Sequence, residues 1–202
     1  LHLLYSRFFT KALDIKNLDE PFQRLFTQGM VCHETFKNES GRWVFPDDVK
    51  NKNGLLTQIT TGEKITQGSV ESMSKSKKNV IDPETIIQEY GADSARWFML
   101  SDSPPERDIN WSDSGIQGSW RFCQKVWSII QKNKNIFDMH LDIKKAKFSG
   151  QSLNLISEVH AHLYDITRSI KKFQMNVSVA KIYEIVNITS KFQPTDQNDY
   201  LA

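Results

Sequence analysis

Three textures of hydrophobic and polar positions follow one another along this chain. Residues 1–13 are apolar almost all round a helical wheel, with Leu4, Phe8 and Ala12 on one stripe and Tyr5 and Phe9 beside it. That pattern predicts a buried helix. After a polar break, Glu20-Pro21 opens a short stretch with Phe22, Leu25 and Phe26 at helical spacing, and proline suits the first turn of a helix. Gln28-Gly29-Met30-Val31 then reads as an exit into a strand.

The second texture begins near residue 37. Residues 37–70 hold four of the nine glycines, and short extended pieces lie around Trp43-Val44-Phe45, over 55–59 and over 63–66. Turn residues at 38–41, 51–54 and 60–62 bracket those pieces, which predicts a small β-rich insertion of hairpins. Residues 71–79 are polar without periodicity and read as a loop. Asp82, Pro83 and Glu84 have the chemistry of a helix start, and Gly91 closes that helix after Ile86, Ile87 and Tyr90. Asp93 restarts a second helix, which Ser103-Pro104-Pro105 breaks.

From about Ser114 the pattern is helical. Trp120, Cys123, Trp127 and Ile130 recur at heptad-like spacing. Leu153, Ile156, His160, Leu163, Thr167 and Ile170 form a second stripe, widened by Val159, Ile166 and Phe173. Val179, Ile182, Val186 and Thr189 form a third. Three amphipathic helices with a linker at about 138–151 predict an α-helical bundle. Trp120, Trp127, Phe122 and Phe173 sit on these stripes and are expected in the core in preference to stacking on bases.

Composition narrows the picture. With 202 residues, 26 Lys plus Arg, 24 Asp plus Glu and a net charge of +2, the chain can bury a real core. Its charge alone does not indicate nucleic acid. Apolar runs are far shorter than the roughly 20 residues of a membrane helix. Cys32 and Cys123 show no disulfide or metal spacing, so reduced thiols are expected. The histidines show no metal-ligand spacing, since His160 and His162 point to different faces of a helix. The first residue is Leu1, in what reads as mid-helix, so a piece of something longer is expected.

The chemistry gathers in the loop. Lys75, Lys77 and Lys78 with Ser74 and Ser76 place three ammonium groups and two hydroxyls within five residues, just ahead of a capped helix. Such a loop can close over a polyphosphate and neutralise charge that develops in phosphoryl or adenylyl transfer. A solvated surface loop is the competing reading.

Ser72-Met73-Ser74-Lys75-Ser76 followed by Lys77-Lys78-Asn79-Val80-Ile81-Asp82-Pro83 resembles the KMSKS signature of class I aminoacyl-tRNA synthetases. Its neighbours resemble the leucyl-tRNA synthetases of bacterial type. These are His2-Leu3-Leu4-Tyr5-Ser6-Arg7-Phe8-Phe9, Glu20-Pro21-Phe22 through Gln28-Gly29-Met30-Val31, Tyr90-Gly91-Ala92-Asp93 with Arg96, Pro104-Pro105-Glu106, Asn110-Trp111, Arg121-Phe122 and Val126-Trp127.

The resemblance implies that Lys75, the second lysine of the signature, contacts the ATP phosphates and acts in catalysis. Met73, Ser74 and Ser76 would shape the ATP-binding loop. Ser72 stands where the family carries its first lysine, and Lys77 and Lys78 are the candidates to replace that cation. His2 resembles a histidine near the family's leucine site, although a lone histidine on an apolar helix is more often a core residue. Lys125, Arg168, Lys171 and Lys172 are the candidates to track tRNA phosphate, with no metal site of the protein's own.

The expected organisation is the end portion of a Rossmann-type catalytic domain over 1–36, the β-rich leucine-specific insertion over 37–70, the signature loop and connecting helices over 71–112, and a truncated anticodon-binding bundle over 113–202. The fold is expected to be mainly α with a small β-rich insert. By resemblance the function is that of a cytoplasmic leucine–tRNA ligase, using ATP with its Mg2+ to activate leucine and charge tRNA(Leu), with no membrane association. The family's His-Ile-Gly-His motif is not found in these residues. The chain is therefore expected to depend on a missing N-terminal half and to be inactive alone. A non-catalytic RNA-binding or interaction module is the alternative.

Overall fold

The computed structural model describes residues 1–15, 18–134, 147–148, 150–195 and 199. Helix α1 (His2–Ala12) leads through an irregular stretch to strand β1 (Val31–Lys37). A small β-rich excursion holds strands β2 (Val49–Lys52) and β3 (Leu55–Gln58). Strand β4 (Thr66–Ser72), helices α2 (Pro83–Tyr90) and α3 (Ala92–Ser101), and the short strand β5 (Ile109–Asn110) follow. Helices α4 (Asp113–Lys132), α5 (Gly150–Lys171) and α6 (Met175–Lys191) complete the order. Among the described residues no helix is long and apolar enough to cross a membrane.

Strand β1 is the centre of a three-stranded sheet in the order β4-β1-β5. It pairs antiparallel with β4, Cys32 facing Ser72 and His33 facing Glu71, and parallel with β5, Val31 facing Ile109. Strand β4 therefore extends two residues into the polar stretch that reads as loop from residue 71, because Glu71 and Ser72 complete the ladder with β1. It also crosses the expected boundary at 70/71.

The excursion folds as its turn residues predict. Asn53 (φ 53°) and Gly54 (φ 84°) join β2 to β3. Positive φ at both central residues is the type I′ hairpin turn, whose twist matches its strands. The Asp48 carboxylate accepts from Gln58 Nε2 at 2.7 Å and from the Thr60 backbone N–H at 3.0 Å, which fixes the next turn. Phe36, Val44 and Ile65 form a small core here, with Val49 and Leu56 against it.

Helix α2 is capped by Asp82, whose carboxylate accepts from the Glu84 N–H at 3.1 Å, with Pro83 in its first turn. Gly91 ends it at φ 84°, a conformation glycine adopts without a Cβ penalty. Helix α3 then starts at once. Ile86, Phe98, Ile109 and Ile116 form the main core cluster, so α2, α3, β5 and the first turns of α4 are packed together.

The C-terminal helices form as the periodicity predicts, but their facing differs. In α4 the buried side is Ile116, Ser119 and Phe122. Trp127 is 61% exposed, and Trp120 and Phe173 are also exposed, so only Phe122 of the four aromatics expected in the core lies there. The reason is an aromatic cluster. Trp97 of α3 stacks on Phe122 at 4.8 Å, and both meet Tyr183 of α6, whose hydroxyl accepts from Trp97 Nε1 at 2.9 Å. That contact turns the Trp127 side outward. In α5, Leu155 and Ile166 are buried whereas Leu153, Leu163 and Ile170 are exposed. Small Ser169 and Ser178 lie buried beside the short 172–174 link, where α5 and α6 double back on each other. The expected linker at 138–151 falls largely outside the described residues.

Two N-terminal expectations are corrected. Helix α1 is not buried: Leu4, Tyr5, Phe8 and Phe9 are exposed and Thr10 is its buried residue, because no described element covers its apolar sides. The stretch opening at Glu20-Pro21 is not helical. It is too short to sustain an isolated helix, and tertiary contacts hold it irregular. Glu20 is bound by Arg7 at 2.7 Å, Phe26 stacks on Phe173 at 4.9 Å, and the Gly29 N–H donates to the Pro105 carbonyl at 2.9 Å.

Candidate functional site: the lysine loop after β4

The loop leaves β4 at Met73, whose N–H donates to the Val31 carbonyl at 2.9 Å and keeps it in register with the central strand. Residues 75–78 make a tight turn. The Lys78 N–H donates to the Lys75 carbonyl at 3.3 Å, and Lys78 takes a left-handed φ of 53°. The hydroxyl of Ser74 accepts from the Lys77 N–H at 3.3 Å and lies 3.3 Å from the Ser76 hydroxyl. Ser74 and Ser76 thus shape the turn.

The loop's lysines differ in what they touch. Lys77 is ion-paired with Glu71 at the end of β4, and the Ser69 hydroxyl donates to the other oxygen of that carboxylate at 3.0 Å. The Lys77 ammonium, seconded by Ser69, holds the Glu71 carboxyl below the usual carboxylate range. The Lys78 ammonium sits over the Phe45 ring at 5.1 Å, tying the loop to the β-rich excursion. The Lys75 side chain is exposed and its ammonium has no partner among the described residues. Lys77 and Lys78 are thus engaged at the base of the loop, and Lys75 presents a free charge.

Two residues of this arrangement were not singled out by the sequence. Asn79 is fully buried under the loop, and Glu71 is the counter-charge for Lys77. Asn79 lies inside the motif, yet nothing in its spacing marks it as the residue that goes inside. Glu71 becomes visible only once β4 is extended to Ser72.

The other predicted residues are dispersed. His2 is exposed on α1 and is not the satisfied core histidine its apolar helix suggested. Lys125 donates to Asn187 Oδ1 at 2.9 Å, joining α4 to α6. Arg168 lies over the Tyr164 ring at 5.7 Å, and Lys171 and Lys172 are exposed beside it at the α5–α6 turn. Asn187 lies near the other end of α6, about 18 Å of helix rise from that turn. The structure therefore gathers Arg168, Lys171 and Lys172 and sets Lys125 apart.

A family model for class I tRNA synthetases (I, L, M and V) matches residues 52–112, a stretch that contains this loop. The leucine–tRNA ligase of Maricaulis maris is 44% identical over 201 residues, which is 97% of this chain and 23% of the relative. That of Parvibaculum lavamentivorans is 47% identical over 201 residues, 96% of this chain and again 23% of the relative. Nearly the whole chain is thus similar to leucyl members of the class I synthetases. It spans about 23% of the length of these curated relatives. The fold also matches solved structures. The LeuRS of Agrobacterium radiobacter K84, crystallised in a ternary complex with tRNA and LeuAMS, has a TM-score of 0.68 and 24% identity, covering 100% of this chain and 22% of that one. Mycobacterium tuberculosis methionyl-tRNA synthetase with methionyl-adenylate has a TM-score of 0.51 at 10% identity, covering 84% of this chain and 64% of that one. Both place this mainly helical segment with its small sheets on a class I synthetase fold.

Proposed function

We propose that this chain supplies the ATP-phosphate loop and a tRNA-binding helical part of a cytoplasmic leucine–tRNA ligase. The observation that carries the reading is the free Lys75 ammonium on a loop whose other cations are engaged. In the reaction the leucine carboxylate attacks the α-phosphorus of ATP, the bond to the bridging oxygen of the β-phosphate breaks, and pyrophosphate leaves. A terminal ribose hydroxyl of tRNA(Leu) then attacks the leucyl carbonyl, its proton is lost, and AMP departs. Lys75 is placed in the first step, where a preorganised cation stabilises the charge that builds up on the leaving phosphates. Met73, Ser74 and Ser76 set the loop's shape around it. Mg2+ accompanies ATP as its counter-ion in this reading, and no step is assigned to it.

The proposed organisation keeps 1–36 as the end portion of a Rossmann-type domain, with the parallel β1–β5 pair in its support. Residues 37–70 are the leucine-specific insertion, supported by their separate small core. Residues 71–112 carry the loop and connecting helices, and 113–202 belong to an anticodon-binding bundle. Arg168, Lys171 and Lys172 are proposed to meet tRNA phosphate, with Lys125 a more distant contact and His2 a residue facing the leucine side. The alternative, a non-catalytic RNA-binding or interaction module, draws on that same exposed cationic turn.

The test is leucine-dependent ATP–pyrophosphate exchange. The chain alone should show none. A chimera in which it replaces the matching segment of the Parvibaculum lavamentivorans relative should show exchange. A folded chimera that binds tRNA(Leu) but does not exchange would favour the module reading.

A further inference from the structure

We infer that Asn79 is a positioning residue for the nucleotide loop, setting where Lys75 stands without touching the substrate itself. The inference deepens the function proposed above and rests on it. Asn79 has 0% exposure, and its side chain is the hub of the loop. Its Oδ1 accepts from the Ser74 N–H at 2.9 Å. Its Nδ2 donates to the carbonyls of Glu71 at 3.1 Å, His33 at 3.2 Å and Ser72 at 3.4 Å. The amide thus bridges the central strand, the end of β4 and the residue just before Lys75. Its orientation is fixed by its partners, since a backbone N–H must meet an oxygen and three carbonyls must meet N–H groups.

An exposed loop of five polar residues has little apolar contact to order it. A buried amide whose partners lie on a sheet supplies that order instead. Leaving those backbone groups unpaired in the interior is costly, so the loop returns to one geometry. A catalytic cation gains from being held before the reaction, and a displacement of about 1 Å can cost about 10²-fold in rate. Ser72 makes this tether more consequential, because the cation expected at that position is absent and Lys75 carries the phosphate contact with fewer helpers.

The experiment uses Asn79→Ala and Asn79→Asp. In the chain itself, the amide-exchange protection of Ser74 should fall at least about tenfold in Asn79→Ala. In the chimera, kcat for pyrophosphate exchange should fall by about 10- to 100-fold while the KM for leucine is unchanged. Asn79→Asp adds a readout that a general loss of packing would not give. An ionised carboxylate still accepts from Ser74 N–H but sets its second oxygen against the carbonyls. The protonated acid can donate to one of them. The activity of Asn79→Asp relative to the parent should therefore rise as pH falls. If Asn79→Ala fails to fold, that pH-dependent ratio still decides, and a ratio flat with pH overturns the inference. Unchanged Ser74 protection and unchanged kcat in a folded Asn79→Ala also overturn it. A parent chimera without exchange would defeat the proposed function, while Ser74 protection would still judge the tether.

Discussion

The lysine loop and the α4–α6 helices are both rich in polar residues, yet they are held by different physics. Around the loop, groups close in sequence satisfy one another. Asp82 caps α2, Ser74 closes the 75–78 turn, Glu71 takes Lys77, and Asn79 draws Ser74 against the sheet. In the helices, the spacing of apolar side chains secures each helix but not the direction it faces. That direction is settled by Trp97, Phe122 and Tyr183, which come from three helices. Polar groups, most of them close in sequence, can thus hold an exposed charge in place, whereas helix facing is decided by distant partners.

The sharpest break of that contrast is in the core joining the two regions. Phe98 is 3% exposed, packs edge-on against Trp111 at 5.1 Å, and belongs to the cluster with Ile86, Ile109 and Ile116. Phe98→Ala should destabilise the chain by about 3–5 kcal/mol through lost burial and the cavity left behind, measured by denaturant unfolding. Lys75→Ala is the counterpart on the loop. It should leave unfolding almost unchanged, because the ammonium makes no described contact. In the chimera it should lower pyrophosphate exchange by about 10²-fold, equivalent to about 2.7 kcal/mol of transition-state stabilisation. An unchanged rate would remove Lys75 from the mechanism.

The same contrast explains what was legible in the residues. The hairpin turns around Gly41 and Gly54, the Asp82-Pro83 helix start and the Gly91 stop depend on neighbours within four or five positions, and they appear where expected, as does the Gly62 turn that Asp48 also holds. The exposed turn that carries Lys75 was legible in the polar, aperiodic run around it. Asn79 was not, since its partners include the His33 carbonyl 46 positions away. The Trp127 stripe was misread because helical spacing records apolar positions without saying which of two apolar sides meets a partner. Helix α1 was misread for a related reason: an all-round apolar pattern predicts burial, and none of the described elements covers it.

Two smaller substitutions test each side. Asp82→Ala removes the carboxylate that accepts the Glu84 N–H and Thr85 hydroxyl at the start of α2, and should cost about 1 kcal/mol in unfolding. A cost near zero would mean that the local cap is dispensable. Trp127→Ala should change stability by less than about 0.5 kcal/mol, as an exposed side chain away from caps and core does. A loss of several times that would show that this side of α4 is packed after all.

The finest test concerns the Glu71–Lys77 pair, and it is visible only as a dependence on pH. Both side chains are partly exposed, so solvent screening keeps the pair modest. The Glu71 carboxyl is held below its ordinary range chiefly by the Lys77 ammonium. A depressed folded-state value means that the unfolded chain takes up the proton first as pH falls. The pair's contribution is therefore present above the ordinary glutamate value of about 4.3 and lost as pH falls through the lower, folded value. Glu71→Gln should be less stable than the parent at neutral pH, and the gap should close on acidification below about pH 4. Measuring denaturant midpoints of both chains from neutral pH into that window checks the sign. A gap that widens instead would mean that the carboxylate is not stabilised by Lys77 in the folded chain. Because Lys77 follows the exposed Lys75 by two residues, the absence of any gap at neutral pH would set the Glu71–Lys77 pair aside and leave the Asn79 tether as the source of the loop's order.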